Sequence, residues 1–77
     1  MARLEIKVID KDSKAPIAFV PVAVGATVQV ADESGTAVFE VPEGNYIVSV
    51  KPPFYRGKQV QVKAPGIYII ELESLLL

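Results

Sequence analysis

The segment spanning residues 51–58 carries the side chains best suited to binding a ligand. It reads Lys51-Pro52-Pro53-Phe54-Tyr55-Arg56-Gly57-Lys58 and interleaves two aromatic rings with three cations. Aromatic and Arg side chains are enriched among the residues that dominate binding energies, and prolines keep a segment out of a sheet ladder. Phe54, Tyr55, Arg56 and Lys58 are therefore a candidate binding loop for a small ligand or a carbohydrate. Alternatively, the loop has a structural role: Tyr55, alone or together with Phe54, packs inward against the end of the sandwich, and the cations stay in solvent.

The residue types needed for catalysis are scarce. The chain has no His and no Cys, so a hydroxyl nucleophile would have only a carboxylate or a Lys as its base. Ser13, Ser34 and Thr36 fall at turns, where their hydrogen bonds to backbone groups account for them. We expect a protein that is not an enzyme and that carries no cofactor.

Two acidic turns supply clustered oxygen ligands for a metal. Asp10 and Asp12 flank the first turn, and Asp32 and Glu33 begin the second. Calcium takes about six to eight oxygens, whereas each turn offers two carboxylates together with carbonyl groups. Unless the two turns converge, these acids are solvated turn residues, and we predict no metal site.

Length and charge limit the classes of partner. The 77 residues fit a single domain, in which we expect a strand-rich core over residues 3–73 and an apolar tail over residues 74–77. Eight basic and nine acidic side chains give a net charge of −1. Without a basic face, the two rings of the loop are a poor platform for nucleic acid. No segment reaches the ~18 consecutive apolar residues of a membrane span.

The N-terminus contains no signal-peptide pattern. Charged and aliphatic residues alternate from Arg3 to Val8, and no apolar run follows. This pattern favours a cytoplasmic location. A domain excised from a longer extracellular protein would read the same way, so the compartment stays open.

Glycine and proline divide the chain into short runs rich in β-branched residues. Turns recur about every 8–12 residues, which is typical of a sandwich or barrel, and no run has helical period. Residues 36–50 alternate most clearly and predict an antiparallel hairpin, preceded by a type I turn at residues 32–35 with Gly35 at positive φ. Pro21 cannot donate to a ladder, so its strand should lie at a sheet edge or contain a bulge.

Alternation also predicts which side chains form the core, since successive strand residues point to opposite faces. The expected core comprises Leu4, Ile6, Val8, Val20, Val22, Val24, Val28, Val30, Phe39, Val41, Tyr46, Val48, Val50, Val60, Val62, Ile70 and Leu72.

The order of several short motifs resembles the carboxypeptidase regulatory-like domains of transthyretin-like fold. The motifs are Pro16-Ile17-Ala18-Phe19-Val20-Pro21-Val22-Ala23-Val24, Asp32-Glu33-Ser34-Gly35, Phe39, Pro42-Glu43-Gly44-Asn45-Tyr46 and Tyr55. Nearly the whole chain is covered. Two positions depart from the family pattern: Ala31 replaces a Thr, and Phe54 replaces a Gly.

The resemblance implies an all-β fold, a seven-stranded antiparallel Greek-key β-sandwich like transthyretin (prealbumin). It implies structural or protein-interaction roles, because the shared residues belong to turns and core and carry no chemistry.

After the inward faces are assigned, several aliphatic side chains remain on the outside. Isolated exposed aliphatics are normal, but contiguous ones indicate a partner. The outward residues and the apolar tail predict self-association into a homo-oligomer, or contact with a protein partner. The candidate self-association residues are Val38, Ile47, Ile67, Ile69, Leu75, Leu76 and Leu77.

Overall fold

The computed structural model describes residues 1–75 and contains seven strands. They are β1 (Ala2–Asp10), β2 (Pro21–Val24), β3 (Thr27–Val30), β4 (Thr36–Val41), β5 (Gly44–Val50), β6 (Lys58–Ala64) and β7 (Gly66–Leu72). Three strands form one sheet in the order β4-β1-β7, and four form a second in the order β3-β2-β5-β6. The expected all-β class is confirmed, with two sheets.

The inner faces of the two sheets share one hydrophobic core. Most of the expected core residues are buried, while Tyr46 and Val60 are half-buried and pack against them. No polar or charged side chain among residues 1–75 is buried. The buried set is Leu4, Ile6, Val8, Val20, Val22, Val24, Ala31, Ala37, Phe39, Val41, Val48, Val50, Val62, Ala64, Ile70 and Leu72.

The expectation that all strands pair antiparallel is wrong for one pair. β1 and β7 run parallel, from Leu4 opposite Gly66 to Asp10 opposite Leu72. Parallel neighbours need a long connection, and here the remaining five strands lie between the two in sequence. The three-stranded sheet is therefore mixed.

The predicted hairpin over residues 36–50 is also wrong. β4 pairs with β1, with Phe39 opposite Leu4, whereas β5 pairs with β2 and β6. The tightest hairpin turns need a positive φ at their first position, and Pro42 holds φ near −65°. The chain therefore crosses between sheets at residues 42–43, and Val38 and Ile47 lie on opposite outer faces of the molecule.

Val28 and Val30 were expected in the core and are instead 60% and 62% exposed. A connection of only two residues, 25 and 26, sets Thr27 opposite Val24, which is buried. Opposite residues of a ladder share a face. Thr27 therefore lies on the inward-facing side of β3, and Val28 and Val30 point outward.

Pro21 lies in a central strand rather than at an edge. β2 is flanked by β3 and β5, so the expectation of an edge strand is wrong. Pro21 is the first residue of β2, and pairing with β5 begins one residue later at Val22. The missing N–H therefore falls beyond the end of that ladder, where a proline is tolerated.

The turn at residues 32–35 forms as predicted from its sequence. The Asp32 carboxylate accepts hydrogen bonds from the amides of Ser34 and Thr36, at 2.9 and 3.0 Å. Gly35 has a φ of 78°, and a Cβ there would lie 2.6 Å from the Val8 carbonyl oxygen. Glycine is required here both by conformation and by the close approach of β1.

Replacing Phe39 with Ala tests the shared core. Phe39 is 1% exposed, and truncating a buried ring leaves a cavity, so we expect Phe39→Ala to lower the free energy of unfolding by about 3–5 kcal/mol. Val38→Ala, on the outer face of the same strand, should cost less than about 1 kcal/mol. Urea unfolding of both variants is the measurement. Equal losses would contradict the assignment of faces in β4.

Replacing Gly35 with Ala tests the turn. Positive φ alone costs an L-residue roughly 1–2 kcal/mol, and contact with the Val8 carbonyl adds to this cost, so unfolding should move to lower urea concentration. The matched variant Gly57→Ala meets only the flexible Lys51 side chain and should unfold near the wild-type midpoint. A wild-type midpoint for Gly35→Ala would contradict the described turn.

Candidate interaction surfaces

The segment at residues 51–58 is held against residues 71–75, at and just beyond the end of β7, by hydrogen bonds to the backbone. The Arg56 amide donates to the Glu73 carbonyl at 2.9 Å, and the Leu75 amide donates to the Phe54 carbonyl at 2.8 Å. Lys58 Nζ donates to the Glu71 carbonyl at 3.3 Å. The candidate binding loop is therefore fixed in place along residues 71–75.

The two aromatic rings of this loop have different environments. Tyr55 is half-buried, packs against the core and donates its hydroxyl to Asp10 Oδ2 at 3.0 Å. Phe54 has a φ of 67° and an exposed ring. Arg56 is exposed, and its Nε lies 3.8 Å from Glu73 Oε1. Tyr55 is thus half-buried, whereas the other candidate residues, Phe54, Arg56 and Lys58, are exposed.

A shallow groove of about 240 Å³ lies beside the loop. Lys11, Arg56 and Lys58 line it together with Glu71 and Glu73, and neither Phe54 nor Tyr55 contributes to it. Three cations and two carboxylates line this groove, so its charges largely compensate one another. Arg56 therefore lines this groove without either aromatic ring of the loop.

A second groove, of about 610 Å³, lies where β5, β6 and β7 meet. The amides of Asn45 and Gln61 and the rings of Tyr46 and Tyr68 line it, among other residues. The sequence pattern assigned both tyrosines to strands and did not indicate this groove. Predicting this groove from the sequence would require knowing that β5 pairs with β6, and alternation alone does not specify that pairing.

The first acidic turn is organised around Asp10. Its Oδ1 accepts hydrogen bonds from the amides of Asp12 and Ser13, at 2.8 and 3.0 Å. Hydrogen bonds from the Ser13 and Asp12 amides, and then from the Tyr55 hydroxyl, lower the pKa of Asp10 below its ordinary 3.8. The same contact raises the pKa of Tyr55 above 10.0.

The acidic turns offer no shared metal site in the described chain. No group of three or more potential metal-ligating acidic residues occurs among residues 1–75. Asp32 bonds to its own turn, and hydrogen bonds from the Ser34 hydroxyl and the Thr36 amide lower its pKa. Both carboxylates Asp10 and Asp32 thus serve to order local backbone.

The candidate self-association residues do not form a single patch. Val38, Ile67 and Ile69 share the outer face of the three-stranded sheet, but Glu5 and Lys7 of the central strand lie between Val38 and the isoleucines. Ile47 lies on the other sheet. Leu75 is exposed next to the loop, and Leu76 and Leu77 fall outside the described residues.

The edge strands carry the most exposed aliphatic pairs. Ile67 and Ile69 of β7 are 73% and 63% exposed, and Val28 and Val30 of β3 are similarly exposed. In β3 the valines adjoin Pro21 and Ala23 of β2 on the outer face of the four-stranded sheet. The β3 pair was absent from the predicted surface because both valines were assigned to the core.

Comparisons of the sequence with known proteins do not assign the chain to a family. The chain matches no family model, and no curated protein matches it. Among residues 1–75, no helix has the length and apolar character needed to cross a membrane.

Acid unfolding tests the Asp10 turn. A carboxyl with a lowered folded pKa adds stability above its unfolded pKa, and this stability is lost as pH falls through the folded pKa. Thermal melts from pH 6 down to pH 2 should therefore show a smaller loss of Tm for Asp10→Asn than for wild type. Asp12→Asn, a turn neighbour, should follow the wild-type curve. A wild-type slope for Asp10→Asn would contradict this role of the turn.

Proposed function

We propose that this protein is a non-catalytic structural or protein-interaction module that associates with itself or supports a protein partner. The observation that carries the proposal is the repetition of exposed aliphatic residues along two edge strands, at Val28 and Val30 in β3 and at Ile67 and Ile69 in β7. Edge strands are the natural sites of further strand pairing. Aliphatic side chains beside such an edge gain burial when a partner covers them.

We also propose that the fold belongs with the transthyretin-like Greek-key sandwiches, as in carboxypeptidase regulatory-like domains. The motif order along the chain and the arrangement of seven strands in two sheets support this assignment. Such domains act through their surfaces, which agrees with the interaction role.

The alternative function, binding of a small ligand or carbohydrate by residues 51–58, has weaker support. Tyr55 uses its hydroxyl on Asp10 and its ring against the core, and Arg56 and Lys58 face carboxylates across a shallow groove. Phe54 alone presents an exposed ring. A single ring without a concave site is a weak basis for ligand recognition.

Light scattering at micromolar concentration tests the interaction role directly. We expect a mass of at least twice the 8.3 kDa of one chain, because symmetric dimers are the commonest assembly. Removal of residues 75–77 checks the apolar tail. A mass of 8.3 kDa at every concentration, with unchanged stability after that removal, would indicate that the outward aliphatics are merely tolerated in a monomer.

A further inference from the structure

The hydrogen-bond register defines which backbone groups of β3 face away from the sheet. The Ala31 amide donates to the Val20 carbonyl at 2.8 Å, so these two residues form a hydrogen-bonded pair. Hydrogen-bonded and non-hydrogen-bonded pairs alternate along an antiparallel ladder, and continuing the register places Val28 and Val30 in non-hydrogen-bonded pairs. Their N–H and C=O groups therefore point away from β2, along the edge of the sheet.

The side chains of β3 leave this edge accessible. All four residues from Thr27 to Val30 are exposed, and none is charged or a proline. Natural sheet edges are commonly protected by charges, prolines or a covering segment. Residues 27–30 have none of the first two, and the exposed valines continue onto Pro21 and Ala23 of the adjoining strand.

The opposite edge of the same sheet is protected by this chain's own side chains. The Lys63 amide donates to the Tyr68 hydroxyl at 3.0 Å, and that hydroxyl donates to the Lys63 carbonyl at 3.3 Å. Tyr68 therefore occupies backbone groups of β6 that a new strand would need. Lys58 and Lys63 add positive charge to β6.

The edges of the three-stranded sheet are also partly occupied. The Asp32 amide donates to the Thr36 carbonyl at the start of β4. Along β7, Lys58 Nζ and the Arg56 amide occupy the carbonyls of Glu71 and Glu73. The middle of β7, at Ile67 and Ile69, resembles β3 in its exposed aliphatic side chains.

We propose that β3 pairs antiparallel with β3 of a second copy of this chain, about a two-fold axis at Gln29. The proposal rests on the self-association proposed above and names its interface. The axis at Gln29 sets Val28 of one copy opposite Val30 of the other, so the outward N–H groups of each copy meet the outward C=O groups of its partner. The two four-stranded sheets join into one continuous sheet.

The sequence of β3 suits a two-fold contact. A two-fold axis brings identical surfaces together, so any charge near the axis meets its own copy. Residues 27–30 carry no charge. The pairing also covers the exposed valines, since Val28 of each copy lies beside Val30 of the other. It sets the side-chain amide groups of the two Gln29 residues opposite each other, within hydrogen-bonding reach.

Charge substitutions at the two valines test the register. Val28→Lys and Val30→Glu, each alone, place an unmatched charge at the contact and should raise the dimer dissociation constant on the order of tenfold or more. An equimolar mixture of the two variants should recover the dimer, because the lysine of one copy then faces the glutamate of the other. The control Ile67→Lys, on the other sheet, should remain dimeric in sedimentation velocity.

Amide hydrogen exchange gives a readout that does not depend on substitution. In an isolated chain, the Gln29 amide is protected by β2, whereas those of Val28 and Val30 face solvent. We expect all three amides to be protected at concentrations where the dimer forms, and protection at Val28 and Val30 to fall upon dilution.

The possible outcomes separate this interface from the broader function. A wild-type dimer that persists in Val28→Lys and dissociates in Ile67→Lys overturns the β3 pairing but leaves self-association standing. A dimer unaffected by either substitution has the same meaning. A wild-type monomer with rapidly exchanging Val28 and Val30 amides overturns the pairing and self-association together, leaving contact with a different protein as the remaining form of the interaction role.

Discussion

The fold depends on the pairing of β1 with strands on both of its sides. β1 takes β4 as an antiparallel neighbour and β7 as a parallel one, and its inward residues Leu4, Ile6 and Val8 are fully buried. β4 is an edge strand that pairs with β1, whereas β5 pairs with β2 and β6 in the other sheet. The chain crosses to the other sheet after Val41, and the inward residues of the two sheets meet in one core.

Alternation in the sequence predicts which side of every strand except β3 is buried, but it does not predict strand partners. Phe39 and Val48 point inward whether their strands pair with each other or lie in different sheets around one core. The local evidence for the second arrangement was Pro42, whose fixed φ disfavours a tight hairpin. The length of a turn determines which residues of the next strand face inward. The connection of two residues after Val24 directs Val28 outward, although the alternation of Val28 with polar Gln29 predicts that Val28 faces the core.

The candidate site was predictable only where its contacts are local. The carboxylate of Asp32 orders its own turn, and the sequence indicates this directly. Tyr55 instead contacts Asp10, which lies 45 positions away, so residues 51–58 alone cannot distinguish an inward tyrosine from a ligand-binding one. The same holds for the exposed valines of β3, whose surroundings depend on the register with β2.

The hydrogen bonds between the Tyr68 hydroxyl and the Lys63 backbone make the two edges of the four-stranded sheet different. One edge presents the accessible strand β3, and at the other edge the Tyr68 hydroxyl occupies the backbone N–H and C=O of Lys63, where a strand neighbour would bind. A sheet accessible at both ends can add copies without limit and grow into a fibre. In the proposed pairing, the accessible edge of each four-stranded sheet is used up, so that sheet does not extend beyond two chains. In that pairing, the Tyr68 hydroxyl restricts growth at an edge that does not touch the second copy.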